Sequence, residues 1–177
     1  MATEEPEPWL RGSLTEVDAV QRAVLHALVL AGEDIEEWCG GLSDAEMNAR
    51  PHELAPVSFH LRHIARSLDR LLSYAEGQQL EATQIAAMKS ELEPGATRDE
   101  VFAELRAALE LSAQRVRAFS PGSYNEVRGV GKKMLPTTVG GLLVHCADHT
   151  QRHVGQAVIT AKVVMGAART ADDSLRS

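Results

Sequence analysis

Apolar side chains recur at intervals of three and four residues along four long segments of this 177-residue chain. That spacing places them on one face of an α-helix, where they can be buried against a neighbouring element. No convincing ladder of strands accompanies them, and aromatic residues make up only 4% of the chain, which disfavours a β-sandwich or barrel. The sequence therefore predicts an all-α fold, a four-helix bundle.

Caps, glycines and prolines mark the ends of the predicted helices. Ser43–Glu46 and Thr97–Glu100 both have the spacing of a capping box. The connection Gln78–Ala96 is predicted to hold a short extra helix, and Tyr124–Val130 is predicted to be briefly extended. The four long helices are predicted over about Leu14–Trp38, Val57–Ala75, Thr97–Phe119 and Thr137–Met165.

The length suits one domain, which we expect to cover residues 1–168, followed by a polar tail over 169–177 that is predicted to be disordered. A net charge of −7 without a basic stripe argues against a nucleic-acid partner. The first eight residues, MATEEPEP, lack the basic start of a secretory signal, and the apolar stretch 157–168 is too short to span a bilayer. Cys39 and Cys146 are predicted to be free thiols. These features predict a cytoplasmic protein with no membrane partner.

Two histidines interrupt the apolar stripe of the fourth predicted helix. His149 and His153 are four residues apart, on the stripe that also carries Leu142 and Cys146. A buried polar group without a partner costs about 1–3 kcal/mol. One metal ion shared by both rings would remove that cost, so we interpret the pair as metal ligands.

A third ligand has to come from another helix. His145 extends the series on the fourth helix, but it lies about 12 Å along the axis from His153, so only an adjacent pair can bind one ion. The second helix offers His60 and His63, three residues apart. Two histidines from one helix and one from another leave a coordination position open, which is typical of catalytic metal sites.

Each of these residues also has a simpler interpretation. His63 can be an imidazole at the core edge with one hydrogen bond, and His60 is predicted to be solvated or to contact the ligands from outside. His26 and His52 are predicted at the surface. Cys146 is predicted to be a core side chain, with thiolate ligation as the alternative.

Other features of the sequence narrow the chemistry. No Glu follows the first histidine of either pair on the fourth helix, so the HExxH motif of metalloproteases is absent. No Glu-x-x-His occurs, which disfavours a di-iron bundle. Gly155, in the middle of the fourth helix, is about 1 kcal/mol less favourable than Ala. It indicates either close backbone packing or room for a ligand beside His153.

Three segments of the chain resemble the DinB/YfiT-like superfamily of metal-binding four-helix bundles. GLSDAEMNARP (41–51) is similar to the segment after the first helix of that family, and SFHLRHI (58–64) is similar to its second-helix motif. LLVHCADHTQRHVGQ (142–156) is similar to its fourth-helix signature, two histidines four apart followed by x-Gly-Gln. The order and spacing of the segments carry the resemblance over nearly the whole chain.

The resemblance implies that His63, His149 and His153 bind a divalent ion, commonly zinc or nickel, with water at the open position. It also implies a homodimer and, for members of known activity, a transferase reaction with a small-molecule thiol. The chain departs from the family pattern at Val154, where a basic residue is frequent, and in the additional His145.

Three functional hypotheses follow. The first is a metal-dependent transferase that uses a small-molecule thiol, with His145 and His60 as the candidate acid–base groups. The second is a non-catalytic metal-binding or regulatory bundle, whose site would be closed by a fourth ligand from His145, His60 or Cys146. The third is a bundle that binds no metal.

Overall fold

The computed structural model describes residues 5–175, with residues 167–175 described by their backbone alone. Helices dominate it, and the predicted all-α four-helix bundle is confirmed. Two short helices, α2 (Asp44–Met47) and α4 (Ala82–Lys89), lie in the connections. The long helices are α1 (Ala19–Cys39), α3 (Val57–Ala75), α5 (Arg98–Ala118) and α6 (Val139–Leu175).

The first helix begins later than the apolar spacing predicts. The side chain of Asp18 accepts a hydrogen bond from the backbone N–H of Val20 and caps α1 there, so the predicted start at Leu14 is wrong. Leu14 has a φ of 59°, which a right-handed helix excludes. Leu14 and Val17 nevertheless pack against the core. Leu14 and Val17 are therefore part of the apolar spacing because they are packed against the core, although they lie before the start of the helix.

Both predicted capping boxes are present. Ser43 and Glu46 exchange hydrogen bonds at the start of α2, and Thr97 and Glu100 do the same at the start of α5. The bounds of α3 agree with the prediction. These local signals were reliable because each one satisfies backbone N–H groups that the first turn of a helix leaves unpaired.

The long helices form a ring in which α6 packs on α1 and α3, and α5 packs on the same two helices. Two contacts show that α1 and α6 run parallel: Gln151 donates to the carbonyl of Ala27, and Lys162, further along α6, lies over the ring of Trp38, further along α1. α3 and α6 run antiparallel. Because the four helices form a ring, the α3–α6 interface and the α1–α5 interface, which we call seams, lie on opposite sides of the bundle.

α3 and α5 run in the same direction. Arg66 binds Glu104 near one end of this pair, and Arg115 binds Glu76 near the other. Parallel neighbours require a connection that returns along the bundle. Residues 76–97 provide that crossover connection, and α4 within it is the predicted extra helix.

A β-hairpin precedes the last helix. β1 (Val127–Val130) lies within the segment predicted to be extended, and it pairs antiparallel with β2 (Leu135–Thr138). The second strand was not predicted, since the last helix was expected to begin near Thr137, which lies within β2. Pro136 cannot donate to a strand ladder. The hairpin tolerates Pro136 because β2 pairs on one side, with β1.

The last helix starts at Val139 and extends to Leu175, past its predicted end near Met165. A disordered tail over 169–177 stays a prediction, since the side chains from residue 167 onwards lie outside the described part of the chain. No helix among residues 5–175 combines the length and apolarity that crossing a membrane requires.

Cys39 and Cys146 are both free thiols, as predicted, and both are fully buried. Burial raises the pKa of each thiol to about 12. Cys146 packs in the hydrophobic core, in agreement with its predicted role as a core side chain.

Candidate metal centre

Three histidines from two helices converge at the α3–α6 seam. His63 comes from α3, and His149 and His153 come from successive turns of α6. Each ring offers one nitrogen such that the three nitrogens lie within 4.8 Å of one another. Within the described part of the chain, this group of three can hold a metal ion.

The hydrogen bonds around His63 and His149 determine which ring nitrogen faces the centre. The Nδ1 of His63 donates to a carboxylate oxygen of Glu91 at 2.7 Å. The hydroxyl of Ser67 donates to the carbonyl of Ile64, and its oxygen lies 3.3 Å from the Nδ1 of His149. Because these contacts occupy the Nδ1 of each ring, the Nε2 of each ring faces the centre.

The two Nε2 atoms of His63 and His149 are 3.3 Å apart. Two lone pairs that face each other at this distance repel unless a cation or a proton lies between them. A tetrahedral ion about 2.0–2.1 Å from each nitrogen would separate them by about 3.3–3.4 Å. The donor set and its spacing thus fit a divalent metal.

Glu91 was not identified from the sequence. It is 6% exposed, and its second oxygen accepts from the Nη1 of Arg70 at 2.7 Å. Burial acts to raise the pKa of Glu91, but the hydrogen bonds from His63 and Arg70 outweigh it and hold the pKa below its ordinary value. Glu91 is ionised and orients His63, as carboxylates commonly do for histidines that bind metals.

Glu91 had no periodicity or motif to reveal it, because it lies in the crossover connection just after α4. One indirect signal was available. Arg70 is seven residues beyond His63 on α3, which places both on one helix face. A half-buried arginine beside a candidate ligand indicates a carboxylate partner nearby.

His60 is 5% exposed, so the prediction that it is solvated is wrong. Its Nδ1 lies 3.1 Å from the Nδ1 of His153, in agreement with the other reading, contact with the ligands from outside. One of these two nitrogens donates to the other. The contact occupies the Nδ1 of His153 and leaves its Nε2 for the centre.

The remaining histidines stay outside the group. His26 was predicted at the surface but is 8% exposed, with its Nε2 3.2 Å from the hydroxyl of Ser13. His52 is exposed, as predicted. The side chain of His145 is 46% exposed, and its Nδ1 lies 3.6 Å from a carboxylate oxygen of Asp148.

Burial favours the neutral form of His149 and His153. It is the largest cause that lowers the pKa of both rings to about 4, and electrostatic interactions with His63 and Arg152 add to it. Phe59 covers the group, with its ring stacked on His63 at a centroid distance of 5.3 Å. Neutral imidazoles in a partly dry pocket are suited to bind a metal ion at neutral pH.

These features define a class of protein, a helical bundle with a three-histidine group between two antiparallel helices. Residues 27–157 match the model of the DinB superfamily, and the chain belongs to that superfamily. This finding agrees with the resemblance carried by the three sequence segments.

A solved structure has the same fold. The crystal structure of a conserved protein from Enterococcus faecalis superposes with a TM-score of 0.70 at 21% sequence identity. The match covers 85% of this chain and 99% of that one. No curated protein matches the chain.

Proposed function

We propose that this protein binds a divalent metal ion, zinc or nickel, through His63, His149 and His153, and that it is a transferase acting with a small-molecule thiol. The observation that carries the proposal is the convergence of three histidine nitrogens, with the Nε2 atoms of His63 and His149 3.3 Å apart and the outer nitrogens of these rings held by Glu91 and Ser67. Membership of the DinB superfamily supports it.

Three protein ligands favour catalysis over a purely structural role. Structural zinc sites use four protein ligands, whereas catalytic sites use three and leave a position for water or substrate. Among the described residues, the group contains His63, His149 and His153 and no fourth His, Cys, Asp or Glu. His60 contacts the outer nitrogen of His153, and Cys146 packs in the hydrophobic core outside the group.

When bound, a divalent ion supplies the positive charge that lowers the pKa of a thiol. The residues of the chain orient and shield the reacting groups: Glu91 and Ser67 fix two rings, and Phe59 covers the pocket. In the transfer, the thiol sulfur forms a bond to an electrophilic carbon and the bond to the leaving group breaks. The leaving group takes the electron pair, and the thiol proton is released.

The assembly and location are part of the same proposal. We expect a homodimer, as the resemblance to the superfamily implies, and a cytoplasmic location. Light scattering of the purified chain tests the dimer directly, since a mass of twice 19.2 kDa is expected.

Elemental analysis of protein prepared without a histidine tag tests the metal site. We expect one zinc or nickel ion per chain, and its loss in His149→Ala and in His153→Ala. The matched control is His52→Asn, which replaces an exposed histidine with a residue that tolerates its φ of 50°. Stoichiometric metal in either alanine variant would contradict the assignment.

A non-catalytic metal-binding or regulatory bundle is the alternative. It predicts a site closed by a fourth protein ligand and no reaction with thiols. His145→Ala and His60→Ala test for that ligand, and a cobalt-substituted protein reports the coordination number in its visible spectrum. The alternative would be favoured if the cobalt spectrum shows four protein ligands and if His145→Ala or His60→Ala changes that spectrum.

A further inference from the structure

A cleft of about 490 Å³ opens beside the histidine group, between the segment before α3 and the outer face of α6. Leu54 and Ile159 form apolar walls and are 40% and 60% exposed. His60 lines the inner end of the cleft, and its Nδ1 touches His153. This volume is in the range of clefts that bind small molecules.

Gly155 lines the same cleft. Glycine is a poor helix former, so a glycine in mid-helix usually allows a close approach of another group to the backbone. A Cβ at position 155 would meet no neighbouring atom within 4 Å. Close helix packing therefore does not explain this glycine, and a side chain at position 155 would occupy space in the cleft.

The charge of the cleft specifies the ligand further. Arg152 is the only Arg, Lys, Asp or Glu among the described residues that line it. The guanidinium is 54% exposed and binds Asp148 at 2.7 Å. Exposed ion pairs of this kind are weak, so an incoming anion can compete for the arginine.

We infer that this cleft binds a small molecule with an apolar body and a carboxylate, with the apolar part against Gly155, Leu54 and Ile159 and the carboxylate at Arg152. The inference deepens the proposed function, on which it rests for the ligand being a substrate. The cleft places such a molecule beside His60 and so next to the histidine group.

Sodium hexanoate is the probe, compared with hexan-1-ol and hexylamine of equal chain length. Binding to the full-length protein is followed by shifts of backbone amide signals in two-dimensional NMR spectra. We expect hexanoate to bind more tightly than either analogue, with the largest shifts around residues 152–160. Equal affinity for all three probes would overturn the assignment of the carboxylate to Arg152.

Gly155→Leu adds a Cβ that meets no neighbouring atom within 4 Å, places a larger side chain in the cleft and improves helix propensity. We expect its melting temperature to stay the same or rise while hexanoate and hexanol both bind at least tenfold more weakly. Gly166→Leu, about three turns further along α6, is the matched control and should bind as the parent does. Unchanged binding in Gly155→Leu would overturn the cleft as the binding site.

Arg152→Gln should reduce the preference for hexanoate over hexanol about fivefold, the size of an exposed charge interaction. Its control is Arg106→Gln, because Arg106 is also an exposed, ion-paired arginine, 63% exposed and 2.8 Å from Glu36. If Arg152→Gln leaves the preference for hexanoate over hexanol unchanged, the proposal is contradicted. Direct binding of the carboxylate to a metal would give that result. A loss of binding in Arg106→Gln would also contradict the proposal.

Experiments can distinguish a failure of the proposed function from a failure of the proposed binding cleft. Hexanoate binding at Gly155 without retained metal would contradict the proposed function and support the cleft. A thiol transfer reaction that hexanoate does not inhibit would support the proposed function and contradict the cleft.

Discussion

Two seams on opposite sides of the bundle are built from the same helical geometry and carry opposite chemistry. We define the histidine seam as His60 and His63 of α3 with His149 and His153 of α6. The leucine seam consists of Leu25 and Leu28 of α1 with Leu109 and Ala113 of α5, which line an apolar cleft of about 380 Å³. Antiparallel helices thus accommodate either set at equivalent positions.

The two seams also satisfy their polar groups differently. In the leucine seam region, one buried amide, that of Gln21, donates to the carbonyls of Val116 and Phe119 at 2.9 and 2.8 Å and closes the end of α5. In the histidine seam, every ring contacts another polar side chain. The comparison indicates that the leucine seam stabilises the fold, while the histidine seam gathers polar groups that can bind a ligand.

The largest effect on stability is expected in the leucine seam. Leu25 is 2% exposed, so Leu25→Ala removes buried methyl groups and leaves a cavity, which should lower the free energy of unfolding by about 2–5 kcal/mol. Urea denaturation followed by circular dichroism measures it. Leu111→Ala, on α5 but 53% exposed, is the control and should change stability by less than about 0.5 kcal/mol.

The next effect belongs to the histidine seam and concerns metal affinity. Glu91→Gln removes the carboxylate that orients His63, which should weaken zinc binding about 10–100-fold. A competition assay with a zinc-binding dye measures the change. Glu93→Gln, an exposed neighbour in the same connection, should bind zinc as the parent does. Equal affinities for the two variants would show that Glu91 has no role in binding.

A smaller change should stabilise the protein. His149→Leu makes the histidine seam resemble the leucine seam, because it replaces a half-buried imidazole with an apolar side chain. We expect the free energy of unfolding of metal-free protein to rise by about 1 kcal/mol. Added zinc should no longer stabilise the variant, whereas it stabilises the parent. A loss of stability in metal-free His149→Leu would refute the contrast between the seams.

The smallest effect is a pH dependence of the metal-free protein. The folded-state pKa of His149 and of His153 is lowered to about 4, against about 6.5 in the unfolded chain. The unfolded chain binds more protons between these values, so stability should fall as the pH decreases from 6.5 through 4. With solvent screening we expect about 1 kcal/mol or less. NMR titration midpoints near 6.5 for both rings would contradict this prediction.

The sequence predicted those parts of the molecule that depend on local signals. The bounds of α3, both capping boxes and the α6 histidine pair follow from spacing along one helix. The start of α1 could not be predicted in this way, because Leu14 is buried in a non-helical segment. Spacing reports burial on one side of the chain, and burial alone does not require a helix.

The surroundings of the candidate ligands depend on contacts between distant segments. Glu91 reaches His63 only because α3 and α5 run parallel and the chain must return between them. The burial of His60 and His26 likewise depends on which elements cover them, and no pattern within α1 or α3 distinguishes them from surface residues. Helix direction and packing order would have to be known before either could be derived.

The crossover connection has a consequence for how this chain can vary in length. Surface connections ordinarily accept inserted or deleted residues, because their ends can adjust. Here α4 is anchored on α3 by Gln84, which donates to Asp69 at 2.6 Å, and Glu91 follows shortly after. A residue gained or lost between Gln84 and Glu91 would move the carboxylate away from His63. We therefore expect insertions to be tolerated in the hairpin turn near Lys132 but not in this stretch of the connection.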